Sequence, residues 1–356
     1  QWGGTGLEKF LTETAGGIKY DAVTMHSHGI SSLQAKGLTL ALDPYIKRDH
    51  FPINDFFPPV VAAVSNAQGT WAIPGGPDHY MPFINLNMWD DVGLTYPAND
   101  WTWDDYTHAM KRLTRIDPEG QASVFGGNGL NWPVISQGFG AQILTGDGKF
   151  DMNRDAVIEG LQLAFDLHFV HRVYPLSEAD VGGVGNHQRF GAGRVASHWV
   201  GSWFPTSPQS GLVDNPAVRW GVAMPPRSNY GQATEMFVDG WFIPSVSDQP
   251  EVGWEWIKFF YRTDVQLSFF GSNSAAIPAL RSIALTRSIR FWQGYGEWAQ
   301  AMIEGVAFGR ARPFHAKVNE VWSAIGSGLS AGYGGTESAR AAMEKLTPIV
   351  ERILAE

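Results

Sequence analysis

The segment WAIPGGPDHYMPFIN, Trp71–Asn85, sets Trp71, Pro74, Gly75, Gly76, Pro77, Asp78, His79 and Tyr80 directly ahead of the apolar run Met81–Ile84. A loop that only joins two elements needs neither a cluster of hydrogen-bonding groups nor proline stiffening. The prolines fix the shape of this stretch before any ligand arrives, so less ordering entropy is lost on binding. The segment therefore reads as a preformed polar and aromatic wall that runs into a strand.

Composition sets the frame. At 356 residues the chain exceeds what one hydrophobic core usually covers, which predicts two domains. Hydrophobic content of 44% against 17% charged residues excludes a disordered chain. A net charge of −9 opposes a nucleic-acid-binding role, which normally needs a basic face. No apolar stretch approaches the ~20 residues of a membrane span. The chain has no Cys, so disulfides, thiolate catalysis and Cys-held metal centres are excluded, and an oxidising extracytoplasmic setting fits. Fifteen Trp against ten Tyr inverts the usual order. Some of these indoles belong in the core, and others suit the flat walls of a wet pocket, where an indole face matches the C–H face of a pyranose.

Short apolar strands alternate with amphipathic helices, which predicts an α/β fold. Ala22–Met25 reads as a strand, as do Phe83–Leu86, Val195–Val200, Trp220–Met224 and Phe237–Ile243. Thr102 and Asp105 form a capping-box pattern ahead of Tyr106, Met110 and Leu113 at helical spacing. Asn153 is expected to cap a helix with Val157, Leu161, Ala164 and Phe165 on one face. Asp248, Pro250 and Glu251 start another, with Val252, Trp256, Phe259 and Phe260 as its expected buried face. Trp254, Trp256, Trp292 and Trp298 read as core or surface helix residues, and the terminal helix from Glu337 to Ala355 carries Pro348. Polar and aromatic residues gather in the loops GGNGLNWP, DVGGVGNHQ and GSWFPTSPQSG, where α/β folds place ligands.

In order along the chain, YDAVTM with LALDPYIKRD, GTWAIPGGPDHYMPFINLNMWDDVGL, DWTWDDYTHAMKRLT, FGAGRVASHWVGSW, VRWGVAMPP, VDGWFIPSVSDQPEVGWEWIKFFYRTDVQ and AAIPALRS resemble the extracellular solute-binding proteins of ABC importers. The likeness is to the sugar-binding family that includes maltose-binding protein. Each piece is degenerate alone, but seven in register span nearly the whole chain. The resemblance implies two α/β lobes joined by hinge strands, with ligand held in a central cleft on closure. The first lobe would hold residues 1–80 and 243–285, the second 84–238 and 290–356, with crossings near 79–83, 238–244 and 283–291. Residues 1–16 resemble only the helix that follows the family's opening strand, helix and strand, so about one βαβ unit is expected ahead of them. The lipid-anchoring Cys of many family members would lie in that part. The segment QWGGTGLEKFLTETAGG carries no signal-peptide pattern.

Within that frame Asp78 stands where family members often place an acceptor for sugar hydroxyls, although an Asp there also forms turns. His79 and Tyr80 flank it, as ligand contacts or as hinge packing. Asn131, Trp132, Gly201, Ser202 and Trp203 lie on loops suited to stacking and hydrogen bonding, and Asp239, Gly240 and Trp241 match the strand before the second crossing. Trp322 resembles a stacking aromatic of maltose binders, yet NEVWSAI reads equally as a core helix. Arg281, after IPAL, suits bidentate hydroxyl binding or a surface ion pair. His26 and His28 have H–x–H metal-ligand spacing without a companion carboxylate; with Ser27 they are expected to line the cleft as hydrogen-bonding groups.

Enzymatic readings are weaker. Asp78, Glu235 and Asp239 offer carboxylates for a glycoside hydrolase, but no hydrolase signature accompanies them. Gly328–Leu329–Ser330–Ala331–Gly332 satisfies G–x–S–x–G after a helical pattern rather than the strand a nucleophile elbow requires. Neither GGVGNHQ nor GGNGLNW completes a phosphate- or dinucleotide-binding loop, so no cofactor and no metal are expected. The expected function is capture of a mono- or oligosaccharide, by a monomer, for delivery to an ABC permease outside the cytoplasm. A sugar phosphate, polyol or polyamine is the alternative cargo.

Overall fold

Along the strand Thr234–Phe242, side chains alternate between Val238, Gly240 and Phe242, which are buried, and Phe237, Asp239 and Trp241, which are half-buried. A two-residue period gathers the second set on one face. The computed structural model describes residues 5–119, 122–212, 215–271, 277–285 and 296–356. The chain forms two compact units: Gln1–Asp78, Met236–Gly294 and Ala311–Trp322 in the first, His79–Glu235, Tyr295–Arg310 and Ser323–Glu356 in the second. Of the crossings expected from sequence, the one around 283–291 runs into residues 286–295, outside the described residues.

In the first unit the strand Val23–His26 lies antiparallel to Thr234–Phe242, with Thr24 opposite Trp241 and His26 opposite Asp239. The strand Ile73–His79 also pairs with Thr234–Phe242. This explains the paired glycines of the opening segment. A Cβ on Gly76 would come within 1.7 Å of the Ile277 carbonyl oxygen, and one on Gly75 within 3.2 Å of the Asp239 carbonyl oxygen. Backbone meets backbone there, and only glycine leaves room. Behind the sheet, Ile30, Leu33, Leu42, Val60, Val64, Phe242 and Trp254 are fully buried.

The helix Pro250–Phe260 begins where the sequence predicts but turns the other way. Gly253, Trp254, Ile257 and Phe260 are buried, whereas Val252, Trp256 and Phe259 are exposed. Two contacts decide the rotation. A Cβ on Gly253 would stand 1.9 Å from the Asp21 carbonyl oxygen, and Trp254 Nε1 donates to Asp49 Oδ2 at 2.7 Å. Glu251, Glu255 and Lys258 form a polar stripe at i, i+4 and i+7, opposite the buried Gly253, Ile257 and Phe260.

The second unit has a three-stranded antiparallel sheet, ordered Ser197–Val200, Met81–Asn85, Trp220–Val222. The helix Trp103–Leu113 starts with the expected capping box between Thr102 and Asp105. It buries Trp103, Tyr106 and Met110 against Trp199, whose ring stacks on Trp103 at 5.9 Å. The helix Asp155–Phe169 has Arg154 rather than Asn153 at its cap, without a capping side-chain bond. Arg154 is held there by Asp151 at 2.9 Å and by the Gly140 carbonyl oxygen. Its buried face does include Val157, Leu161, Ala164 and Phe165. The terminal helix Ala339–Ala355 is capped by Ser338 and contains Pro348. Ser330 follows the helix Val318–Gly328, and its hydroxyl donates to the Ser327 carbonyl oxygen at 2.7 Å, so no strand-to-helix elbow forms. Among the described residues no helix is long and apolar enough to cross a membrane.

Candidate functional site

In the first unit the strand Val23–His26 ends at a helix start, Ser27–Ala35, so His26, Ser27 and His28 follow one another around a tight corner. Ser27 is buried. His26 and His28 stack with ring centroids 5.2 Å apart, and His26 Nδ1 meets Asp239 Oδ1 directly across the ladder. His28 is pushed down to about 3, first by burial, then by the nearby Arg312 and His26, so it is neutral at pH 7. Its carbonyl oxygen accepts from Ser31, Ser32 and Asn319, which pins the corner.

Arg312 completes this group. Its guanidinium lies 4.2 Å from the Trp322 ring and 5.9 Å from Phe237, a cation–π arrangement worth roughly 0.5–2 kcal/mol. Trp322 itself is half-buried on the helix Val318–Gly328. Trp241 packs against Phe260 at 5.3 Å and the exposed Trp256 at 6.0 Å. With His26, Asp239, Lys9, Glu13 and Tyr20 it lines a cavity of about 350 Å³. Gly240 faces the opposite way, where a Cβ would stand 2.8 Å from Ala72 and 3.1 Å from Ile30. Asp78 is half-buried at the end of this unit's first segment. Arg281 donates to the Asn54 carbonyl oxygen at 2.8 Å.

In the second unit Asn131 caps the helix Trp132–Gly138 by accepting from Val134 N at 3.2 Å, and its amide reaches Glu235 Oε2 at 3.5 Å. Glu235 is buried, and its backbone carbonyl accepts from Tyr80 N at 3.0 Å. Asn131, Tyr80 and Glu235 therefore converge. Trp132 is 9% exposed. His79 is sealed in the interior and pushed down to about 4 by burial, against the opposing pull of the Met302 backbone. Gly201 and Ser202 are buried where the strand Ser197–Val200 ends, and Trp203 is half-buried just after them. The Trp203 ring stands perpendicular to His187, with centroids 5.0 Å apart.

Sequence reading passed over Arg312, Phe237, His187 and His198. Arg312 carries no local signal, because its partners Phe237 and Trp322 come from other elements. His198 did carry one: a polar residue inside the buried run Val195–Val200 demands a partner. Among the described residues no group of three or more His, Cys, Asp or Glu could hold a metal ion. Each unit by itself sets indole faces beside polar groups: Trp241 and Trp322 beside Asp239 and Arg312 in the first, Trp203 beside His187 in the second. That donor set suits reversible binding of a polar, ring-shaped solute.

Similar structures share this fold. The ABC substrate-binding protein Lmo0181 from Listeria monocytogenes, in complex with cycloalternan, superposes with a TM-score of 0.84 at 20% identity, over 98% of this chain and 88% of that one. The maltose/maltodextrin-binding domain MalE from Bdellovibrio bacteriovorus, bound to maltotriose, gives 0.78 at 18% identity, over 98% and 89%. UgpB from Mycobacterium tuberculosis, in complex with glycerophosphocholine, gives 0.81 at 15% identity, over 98% and 87%. The architecture is thus the α/β fold of the two-lobed periplasmic binding proteins. The sequence profile of one family matches residues 1–267, three-quarters of the chain, and on that match this protein belongs to the bacterial extracellular solute-binding proteins.

Proposed function

We propose that this protein captures a mono- or oligosaccharide outside the cytoplasm and hands it, unchanged, to the permease subunits of an ABC importer, acting as a monomer. The family match supports solute capture, and the bound sugars of the Listeria and Bdellovibrio proteins support a carbohydrate cargo. The observation that carries the reading is the placement of half-buried indoles beside fixed polar groups: Trp241 with Asp239 and His26, Trp322 with Arg312, and Trp203 with His187. Stacking supplies apolar contact with a sugar face, and the polar groups read its hydroxyl rim. Asp78, Tyr80, Asn131, Trp132, Arg281, Ser27, His28, Gly201 and Ser202 complete the proposed binding surface. His79 and Gly240, turned into the cores, set its backbone.

A second reading has one specific support. Arg312 places a fixed guanidinium beside His26 and His28, which suits a solute with a phosphate group, and UgpB was solved with glycerophosphocholine. Tryptophan fluorescence titrations with maltose, maltotriose, cycloalternan, tagatose and glycerophosphocholine separate the two. A sugar is expected to perturb the emission, and Trp203→Ala and Trp241→Ala are each expected to weaken its binding by ~1–3 kcal/mol. Unchanged affinity in both variants removes these indoles from the site. Preference for glycerophosphocholine over every sugar transfers the case to the phosphate reading.

A further inference from the structure

A chain of polar side chains in the second unit ends beside Trp203, and its direction is fixed from its buried end. Arg189, 8% exposed, is a donor only, and its Nη1 donates to Asn128 Oδ1 at 2.9 Å. The Asn128 amide nitrogen must then be the donating end. It lies 3.3 Å from the Asn186 carbonyl oxygen, 2.8 Å from Asn186 Oδ1 and 2.9 Å from His198 Nδ1. The opposite amide orientation would set NH2 against the guanidinium and oxygen against a carbonyl oxygen. The two hydrogens of the Asn128 amide go to its two nearest acceptors, Asn186 Oδ1 and His198 Nδ1, so Nδ1 accepts and the His198 proton sits on Nε2. That Nε2 lies 3.1 Å from His187 Nδ1, which must accept in turn. The proton of His187 is thereby forced onto its own Nε2, which none of the described hydrogen bonds engages.

The supports of this relay are equally specific. His198 is completely buried and lowered to about 3, mainly by burial and then by His187, against the opposing pull of the Asn128 backbone and with a smaller push from Arg189, so the neutral ring the relay needs persists at pH 7. Burial also lowers His187. Gly129, at φ +81°, makes room for the relay: a Cβ there would stand 2.8 Å from His198 Nδ1. Trp199 N donates to the Asn128 carbonyl oxygen at 2.9 Å, tying the relay to the strand that leads into Gly201–Trp203. Every link but the last is consumed inside the protein.

We propose that His187 presents its Nε2–H beside Trp203 as a hydrogen-bond donor to a hydroxyl or ring oxygen of the bound sugar, with His198, Asn128 and Arg189 as positioning residues that fix its tautomer. The assignment rests on the carbohydrate reading above and names one recognition group within it. Trp203 and His187 are both half-buried and perpendicular, so a sugar stacked on the indole carries its hydroxyl rim within reach of the imidazole. A donor with a fixed proton selects oxygen acceptors, and an ammonium in that place would meet N–H with N–H.

Two measurements test this. Long-range 15N–1H correlation spectra of the sugar-free protein at pH 7 read the tautomers directly. Both His187 and His198 are expected as Nε2–H in the wild type and as Nδ1–H in Asn128→Asp, where a carboxylate forces His198 Nδ1 to donate and inverts the relay. Fluorescence titrations with the tightest-binding sugar among maltose, maltotriose, cycloalternan and tagatose then read the consequence. His187→Leu and Asn128→Asp are expected to weaken binding by about tenfold or more, and His187→Gln, which keeps an N–H at similar reach, by less than about threefold. A wild-type His187 found as Nδ1–H, or full affinity in His187→Leu, overturns the proposal. If no sugar binds the wild type, the carbohydrate reading falls and the sugar assignment with it. The spectra would then still decide the polarity of the relay.

Discussion

Tyr106 shows how polar atoms are kept inside an aromatic core. Its hydroxyl contacts the Tyr174 hydroxyl and accepts from Trp199 Nε1 at 3.0 Å, and burial raises both phenols above their ordinary range. Removing one oxygen strands two buried partners. Tyr106→Phe is therefore expected to cost about 1–3 kcal/mol in urea denaturation, and a loss below a few tenths would contradict the pairing. At this scale the sequence was partly legible. Trp203 and Trp241 stood out by their places after a strand and on a glycine-containing strand, Trp322 only by family resemblance, and all three are half-buried. Their polar companions were not legible. Arg312 reaches Phe237 across the fold, and His198 meets Asn128 across 70 residues. Short motifs record spacing along the chain, whereas these contacts are set by which strands pair.

The faces of Trp103–Leu113 and Asp155–Phe169 followed from helical spacing, whereas the cap at Asn153 and the face of Pro250–Phe260 did not. The box between Thr102 and Asp105 is complete within four residues, so the start of its helix was readable. The face of Pro250–Phe260 was set from outside, by the approach of the Asp21 backbone to Gly253 and by the Asp49 carboxylate on Trp254. The two tryptophans of that helix now separate in their predicted cost. Trp254→Ala is expected to lose about 3–5 kcal/mol, as for a large core truncation, whereas Trp256→Ala, 48% exposed, should stay within about 1 kcal/mol. Equal losses at the two positions would contradict the observed rotation. The strand Thr234–Phe242 was legible as an element over Phe237–Ile243 but not by face: the expected site joined Gly240 to Asp239 and Trp241, whereas the two-residue period turns Gly240 into the core.

Across the whole molecule, buried neutral histidines couple stability to acidity. His28 and His198 are held near 3, His79 and His168 near 4, in each case chiefly by burial. In the unfolded chain each titrates near ~6.5. Below that pH the unfolded state binds protons that the folded state refuses, so stability falls as pH drops from ~6.5 and the slope levels off near pH 3–4. With these four rings, unfolding at pH 5 should take up about four protons, read from the pH dependence of the urea midpoint; a flat profile between pH 7 and 5 would contradict the burial. The alternation of strands with helices and the ordered family segments were legible at this scale because they depend on the sequence of elements rather than on single contacts. The most direct test of the central claim is isothermal titration calorimetry of the full chain with mono- and oligosaccharides, followed by chromatography of the recovered sugar. Saturable binding with the sugar returned intact is the predicted result; heat without saturation by any sugar, or release of monosaccharide from an oligosaccharide, would contradict it.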